Sequence, residues 1–546
     1  MFSWLDKLDR KPDHPMSDAH EARRLLAELP LDNPLKALEE VTSWLETFKD
    51  VQGYQLEQRF AVASLLDETG QPYHAELLRQ YLAEPHLQDF HGMRLWRVSH
   101  SFLSILASTY AVCADEFRRA EKVHPEIRAR MVVISTRLIR AIAERMKLDL
   151  LRYIEVEPEV WSELYLHYRF AEINQCADTM VYAYSGHVIH TSPQRELMRA
   201  LALYIASPAT LSPDQIEVAY RIAARMVSLF DFRPSPHEGC SHYIDLAHPA
   251  APLPLHEMPP ATQDMRFFGT SGAIQRLDEI ARQNERAAIP EERRFGSEFT
   301  PDGKLTVLRH LQLYWSKDHP HRHRDRRHVN APIKIIHGFK VVSALVTHVE
   351  LGRITNLSEA DTAKLKMHTG SLGILDAEVD YATEDWIITD LSSNGIGGIL
   401  PKTAGPWVKI GAICGISDQN EKQWWVGMVR RLHADDQGKI HVGIEILAKK
   451  PLSLWLRILG KGAERVSNWE TSSGTFTYDY LPVILLPDEH NSYLNATILM
   501  EAQSYVTDTL YEMMLGEKSR NIKLTELIAE GDDYEQVKFQ WMSPES

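Results

Sequence analysis

Seven prolines fall between Pro234 and Pro260. No helix runs through such a segment, because each proline lacks an amide donor and its ring clashes with the preceding turn. The chain must change character there. Upstream, from about residue 18 to 230, apolar residues keep helical spacing. Ile134, Leu138, Ile142, Met146 and Leu150 recur every fourth position, and charged residues fill the opposite face. A start signal stands at Ser212, with Pro213 at the first helical position and Gln215 three residues after the cap. The first half therefore reads as helical, without a repeat of fixed period.

The proline-rich segment reads as an irregular connector with one short strand, "HYIDLA", followed by helices over "SGAIQRLDEIARQNER" and "LTVLRHLQLYW". Beyond residue 330 the texture turns to short runs rich in Val, Ile and Trp. These are "PIKIIHGF", "DWIITDL", "WWVGMVRRL" and "HVGIEIL", and the last two form a hairpin across "HADDQGKI". A small antiparallel barrel follows from this pattern, and the tail, from "YLPVILL" to "YEQVKFQW", predicts a second β unit packed beside it. The expected architecture is α+β and multidomain. It has a helical domain over 1–230, a connector over 231–305, a barrel over 306–450 and a further β-rich unit over 451–546.

A chain of 546 residues with 44% apolar side chains has ample material for several cores. Its formal charge of −15 opposes general binding to DNA, RNA or anionic membrane. Cys113, Cys176, Cys240 and Cys414 have no paired spacing and read as reduced thiols. The opening "MFSWLDKLDRKPDHP" has no apolar leader and no apolar run is long enough to span a bilayer, so a cytoplasmic location without membrane insertion is expected.

Two segments carry chemistry. In "HPHRHRDRRHVNAP", residues 319–332, Arg322, Arg324, Arg326 and Arg327 stand against a single acid, Asp325. A guanidinium grips a phosphate, or the O6 and N7 edge of guanine, with two parallel hydrogen bonds. Arg322 and Arg326 have the spacing RxxxR. The bland reading is a solvated basic linker. In "WIITDLSSNGIGGIL", residues 386–400, Asp390, Ser392 and Gly395 make DxSxxG at a strand end. A carboxylate there accepts from the N1 and N2 donors of a guanine, and glycine admits close backbone approach. The bland reading is an Asx-turn in which Asp390 or Asn394 bonds nearby amides and Gly395 takes positive φ.

RxxxR ahead of a small barrel, then DxSxxG on a barrel strand, resembles the PilZ domain, a bacterial receptor module for cyclic di-GMP. "WVKIGAICGIS", "WWVGMVRRL" and "VGIEIL" extend the likeness, which covers about residues 315–450. The resemblance implies a six-stranded antiparallel barrel whose arginine segment wraps one nucleotide or an intercalated pair. Arg322 and Arg326 would hold phosphate and guanine edges, Asp390 would accept from a guanine, and Ser392 and Gly395 would shape the floor. Arg324, Arg327 and Asn394 are further candidates. The 64 positions from Arg326 to Asp390 exceed the family's usual separation, so an insert of strands or a helix is expected between them.

Rival readings are weaker. His237, Cys240 and His242, or His319, His321, His323 and His328, lack the paired spacing of zinc sites, so no metal is expected. No catalytic motif is present, and neither an enzyme nor a bound cofactor is expected. The expectation is a cyclic di-GMP receptor that changes its interdomain arrangement or partner binding, with a protein partner for the helical domain. The alternative is a helical scaffold whose barrel binds no nucleotide. On the strand of Trp424 and Trp425, one ring should be core and the other interdomain packing rather than a ligand-stacking surface, and Arg430 and Arg431 should be an exposed solvating pair rather than part of the anion site.

Overall fold

Among the described residues, helix-forming spacing in the first half produces α1 (Ala19–Leu26), α2 (Pro34–Lys49), α3 (Leu56–Ala83), α4 (Phe90–Arg119), α5 (Pro125–Leu151), α6 (Pro158–Ile173), α7 (Pro193–Ile205) and α8 (Pro213–Met226). The computed structural model describes residues 12–542 apart from 84–89, 120–124, 187–188, 256–259, 285–294, 318–326, 354–381, 402–403, 419–422, 460–479, 489–491, 494 and 516–517. The periodic row on α5 is all core, from Ile134 to Leu150. At the start of α8, Ser212 caps and its amide donates to Gln215 Oε1 at 3.0 Å. The opposite face of α5 carries the charged residues as expected, and it is largely buried. Arg137 and Lys147 are only 4% and 2% exposed, because α4, α6, α7 and α8 all pack on α5.

The connector holds more order than its prolines suggest. Strands β1 (Asp231–Arg233), β2 (His242–Asp245), β3 (Leu253–Pro254) and β4 (Met265–Gly269) form an antiparallel sheet in the order β1-β4-β2-β3. Strands of two to five residues are too short to show a period in the sequence. After them α9 (Ser271–Asn284) and α10 (Pro301–Tyr314) pack on each other, and α10 also packs on α8. The chain divides into two compact units, Met1–Arg322 and His323–Ser546, so the division falls inside the arginine-rich segment.

The second unit contains two closed barrels. The first comprises β5 (Arg327–His337), β6 (Glu384–Leu391), β7 (Gly395–Ile399), β8 (Ile413–Ser417), β9 (Trp424–Ala434) and β10 (Ile440–Ala448), in the order β10-β7-β6-β5-β8-β9. The β9–β10 hairpin closes where expected, with Asp435 Oδ1 accepting from the amides of Gln437 and Lys439 at 3.0 and 2.8 Å. The second barrel comprises β11 (Leu452–Ile458), β12 (Tyr480–Leu486), β13 (Thr497–Glu501), β14 (Leu510–Leu515), β15 (Lys518–Glu530) and β16 (Tyr534–Trp541), in the order β11-β12-β13-β16-β15-β14. The two connectivities are the same. In each barrel the first strand pairs with the second and fourth, the third with the second and sixth, and the fifth with the fourth and sixth.

The insert after β5 begins as a helix, α11 (Phe339–Arg353), and the remainder up to residue 381 lies outside the described residues. Phe339, Val342, Leu345 and Val346 of α11 share one core with Ile336, Trp424, Val426 and Met428 of the first barrel and Ile484, Leu499 and Tyr534 of the second. Polar contacts fix the same junction. Phe339 N donates to Asp533 Oδ2 at 2.6 Å, and the Tyr534 hydroxyl donates to Gly411 O at 2.8 Å.

Candidate functional site

Asp390 owes its direction to a bulge. Along β6, Trp386 and Ile388 are buried while Ile387 is 53% exposed, so simple alternation would turn Asp390 inward. The β6–β7 register slips between Ile388 and Asp390, leaving Thr389 as the extra residue. A bulge re-aims the next side chain, and Asp390 comes to lie over Gly397, its register partner. A Cβ built on Gly397 would sit 2.1 Å from Asp390 Oδ2, whereas the neighbouring Ile396 faces the interior at 3% exposure. The carboxylate therefore rests on bare backbone on the barrel's outer face.

The rest of DxSxxG forms the turn from β6 to β7. Ser392 N donates to Gly395 O at 2.8 Å and Ser392 Oγ donates to the same oxygen at 3.3 Å. Ser393 and Asn394 form the two-residue tip, and Asn394 O accepts from Ile446 N at 2.9 Å, tying the tip to β10. Gly395 does not take positive φ, contrary to the turn reading of the sequence. It stands instead where a Cβ would meet Ile444 O and Ser392 Oγ, each at 3.4 Å.

Arg322, Arg324 and Arg326 lie outside the described residues, as do His319, His321 and His323. The chain re-emerges at Arg327, which is already strand, although the sequence pattern starts the strand at Pro332. In the β5–β6 register Arg327 faces Leu391 and His328 faces Asp390, both Arg327 and His328 being exposed. The structure thus brings Arg327, His328, Asp390, Ser392, Asn394 and Gly395 to one edge.

Sequence reasoning missed two residues here, Gly397 and Gly443. Gly397 pairs with Gly443 across β7 and β10, and Gly443 pairs with Arg431 across β10 and β9. A second bulge between Gly443 and Ile444 makes Arg430 the extra residue on β9. Val429 and Leu432 point inward, at 0% and 1% exposure, so Arg431 is turned outward, and a Cβ on Gly443 would lie 3.2 Å from Arg431 Cβ. The row His328, Asp390, Gly397, Gly443, Arg431 runs across five strands, with an acid and a cation flanking two glycines. The signal was present in "GIGG" and "VGIE", but neither motif tells which glycines become neighbours.

Other candidates lie elsewhere. Arg430 Nε donates to Glu445 Oε2 at 2.6 Å, so the two arginines do not act as a pair. Trp424 enters the core between the barrels, and Trp425 carries Lys449 Nζ over its ring at 5.5 Å. His237 Nε2 stands 3.0 Å from Asp231, His242 stacks on Phe268 and Cys240 is buried, so the three are engaged separately. Among the described residues no group of three or more His, Cys, Asp or Glu could hold a metal ion. Burial pushes the thiols of Cys113 and Cys414 up to about 12, which leaves them unreactive.

Residues 20–236 match the family model described as the N-terminal domain of the cyclic-di-GMP receptor FimW. The helical region, for which the sequence had supplied no relative, is therefore similar to part of a receptor for the nucleotide that the barrel motifs imply. No curated protein and no solved structure matches the chain. Among the described residues no helix is long and apolar enough to cross a membrane.

Proposed function

We propose that the protein is a cyclic di-GMP receptor whose site is the outer face of the first barrel between β5 and β7. The observation that supports it most is the β5–β6 register, which sets His328, two residues after Arg326, opposite Asp390. The two residues that follow RxxxR in the sequence, Arg327 and His328, thereby share a strand pair with the start of DxSxxG. Asp390, its carboxylate resting on Gly397, accepts from the N1 and N2 donors of a guanine placed beside it on the outer face. Arg322 and Arg326, with Arg324 or Arg327 assisting, grip the phosphates and the O6 and N7 edges, and Ser392, Asn394 and Gly395 hold the corner in shape.

The ligand is a dianion and the arginines are like charges, so each favours the other's presence in one place. The division between the two compact units falls between Arg322 and His323. A nucleotide that gathers the arginines therefore acts on the link between the units, and a change in their arrangement or in a protein partner of the helical region is the output. This is signalling in a bacterial cytoplasm without catalysis and without a cofactor.

Isothermal titration with cyclic di-GMP tests the reading. The wild-type chain binds, and Arg326→Ala does not. Unchanged affinity in that variant rejects the arginine assignment. No heat from the wild type leaves the second reading, a helical scaffold whose barrel binds no nucleotide.

A further inference from the structure

We propose that Arg431 reads a second guanine on the far side of the glycine floor and so selects guanine over adenine. The inference rests on the receptor reading and extends its site by two strands. Asp390 and Arg431 stand three strand spacings apart, about 14 Å at Cα, and both are turned to the outer face by bulges. Between them lie only Gly397 and Gly443, where any other residue would raise a side chain. The Asp390 carboxylate rests on Gly397 and Gly443 carries no side chain, so the acid and Arg431 face each other across low ground that admits the edge of a flat ring.

The flanking chemistry is complementary. A carboxylate meets the donor edge of guanine, N1 and N2, while a guanidinium fork meets the acceptor edge, O6 and N7. Adenine offers an amino group where guanine has O6, so a guanidinium there faces a donor. A cyclic dinucleotide, or an intercalated pair, presents more than one guanine, and the floor has one charged reader at each side. Arg430, adjacent in sequence, pairs with Glu445 at 2.6 Å and serves as the internal control.

Four variants are compared with the wild type by titration with cyclic di-GMP: Arg326→Ala, Arg430→Met, Arg431→Met and Arg431→Lys. Losing one bidentate base contact weakens binding roughly ten- to a hundredfold, so Arg431→Met is expected to fall by that much while Arg430→Met stays at the wild-type value. Arg431→Lys keeps the charge without the fork and is expected to fall nearly as far as Arg431→Met. Cyclic di-AMP, tested on the same proteins, should gain on cyclic di-GMP in both Arg431 variants. Wild-type affinity in Arg431→Met beside lost binding in Arg326→Ala overturns the Arg431 assignment and leaves the receptor reading standing. Full recovery by lysine overturns base reading in favour of simple charge. Absence of binding in the wild type removes both readings together.

Discussion

Gly397→Ala is the sharpest perturbation of the floor, because its effect on the ligand and its effect on the fold separate. A Cβ at residue 397 would lie 2.1 Å from Asp390 Oδ2 and 2.6 Å from Cγ, which is impossible without movement. The movable partner is a short side chain rather than backbone. Gly397 does not take positive φ, so alanine meets no backbone strain. Replacing glycine by alanine in a strand gains roughly 0.5–1 kcal/mol, and turning Asp390 off its rotamer costs about 0.5–1.5 kcal/mol. The two nearly cancel, and the melting temperature should move by no more than about 2–4 °C for a unit of this size.

Binding should respond far more. With its carboxylate displaced, the site loses a bidentate base contact of about 1–3 kcal/mol, or roughly 5- to 150-fold in Kd. Titration of Gly397→Ala, Asp390→Ala and the double variant tests the route of the effect. If alanine acts by displacing Asp390, the double variant binds no more weakly than Asp390→Ala alone. Wild-type affinity in Gly397→Ala, or losses that add in the double variant, would refute the reasoning.

The helical region supplies two further predictions. Lys147 Nζ lies 2.8 Å from both Glu144 and Glu217 and is almost fully buried, so Lys147→Met removes one cation from two buried carboxylates that retain Arg199 and Arg221 and should cost about 1.5–3 kcal/mol in urea unfolding followed by helical circular dichroism. An equal midpoint for Lys147→Met and wild type would contradict this. Burial lowers His74 from 6.5 to about 4, Lys147 adding to the effect, which means folding favours the neutral ring. Burial opposes the charge of Glu144, yet Lys147, Arg199 and Arg140 overcome it and hold that carboxyl well below the usual range. Both groups stabilise the fold at neutral pH and lose that contribution on acidification. The His74 share, about 3 kcal/mol, goes as pH falls from 6.5 towards 4, and the Glu144 share goes below about 4.5. His74→Gln should flatten the stability profile between those limits, and an unchanged slope would count against it.

How much of this the sequence disclosed depends on the range of the physics involved. Local signals were legible: the cap at Ser212, the turn at Asp435 and the four-residue row on α5 each depend on neighbours within a turn or two. DxSxxG was legible as a turn at a strand end. The bulges at Thr389 and Arg430 were not, because a bulge is a property of two paired strands and the pairing is decided by distant segments. For the same reason Gly397 and Gly443, both plain in the sequence, gave no sign of lying side by side. Strand β11 passed unnoticed since "LSLWLRI" is short and resembles a buried helical turn as well as a strand. The burial of the charged face of α5 was not legible for a related reason. A helix with neighbours on every side buries its polar face too, and the ion pairs that allow this come from α3, α7 and α8.

The second barrel gives a control built into the same chain. It repeats the connectivity of the first, so whatever the ligand requires beyond that connectivity should be missing from one barrel and present in the other. The counterpart of β7, "GIGGI", is β13, "TILME", and the counterpart of β10, "IHVGIEILA", is β16, "YEQVKFQW"; neither counterpart contains glycine. Nor does DxSxxG occur between β12 and β13 or RxxxR ahead of β11. Residues with side chains stand on the strands where the first barrel has Gly397 and Gly443. What the second barrel has instead is α11, held between it and the end of β5. The proposed nucleotide edge and this clamp are therefore the two ends of β5, a strand of 11 residues about 36 Å long. A signal passing from one end to the other would have to travel along a strand locked into a closed barrel, and so would demand rearrangement of a packed core.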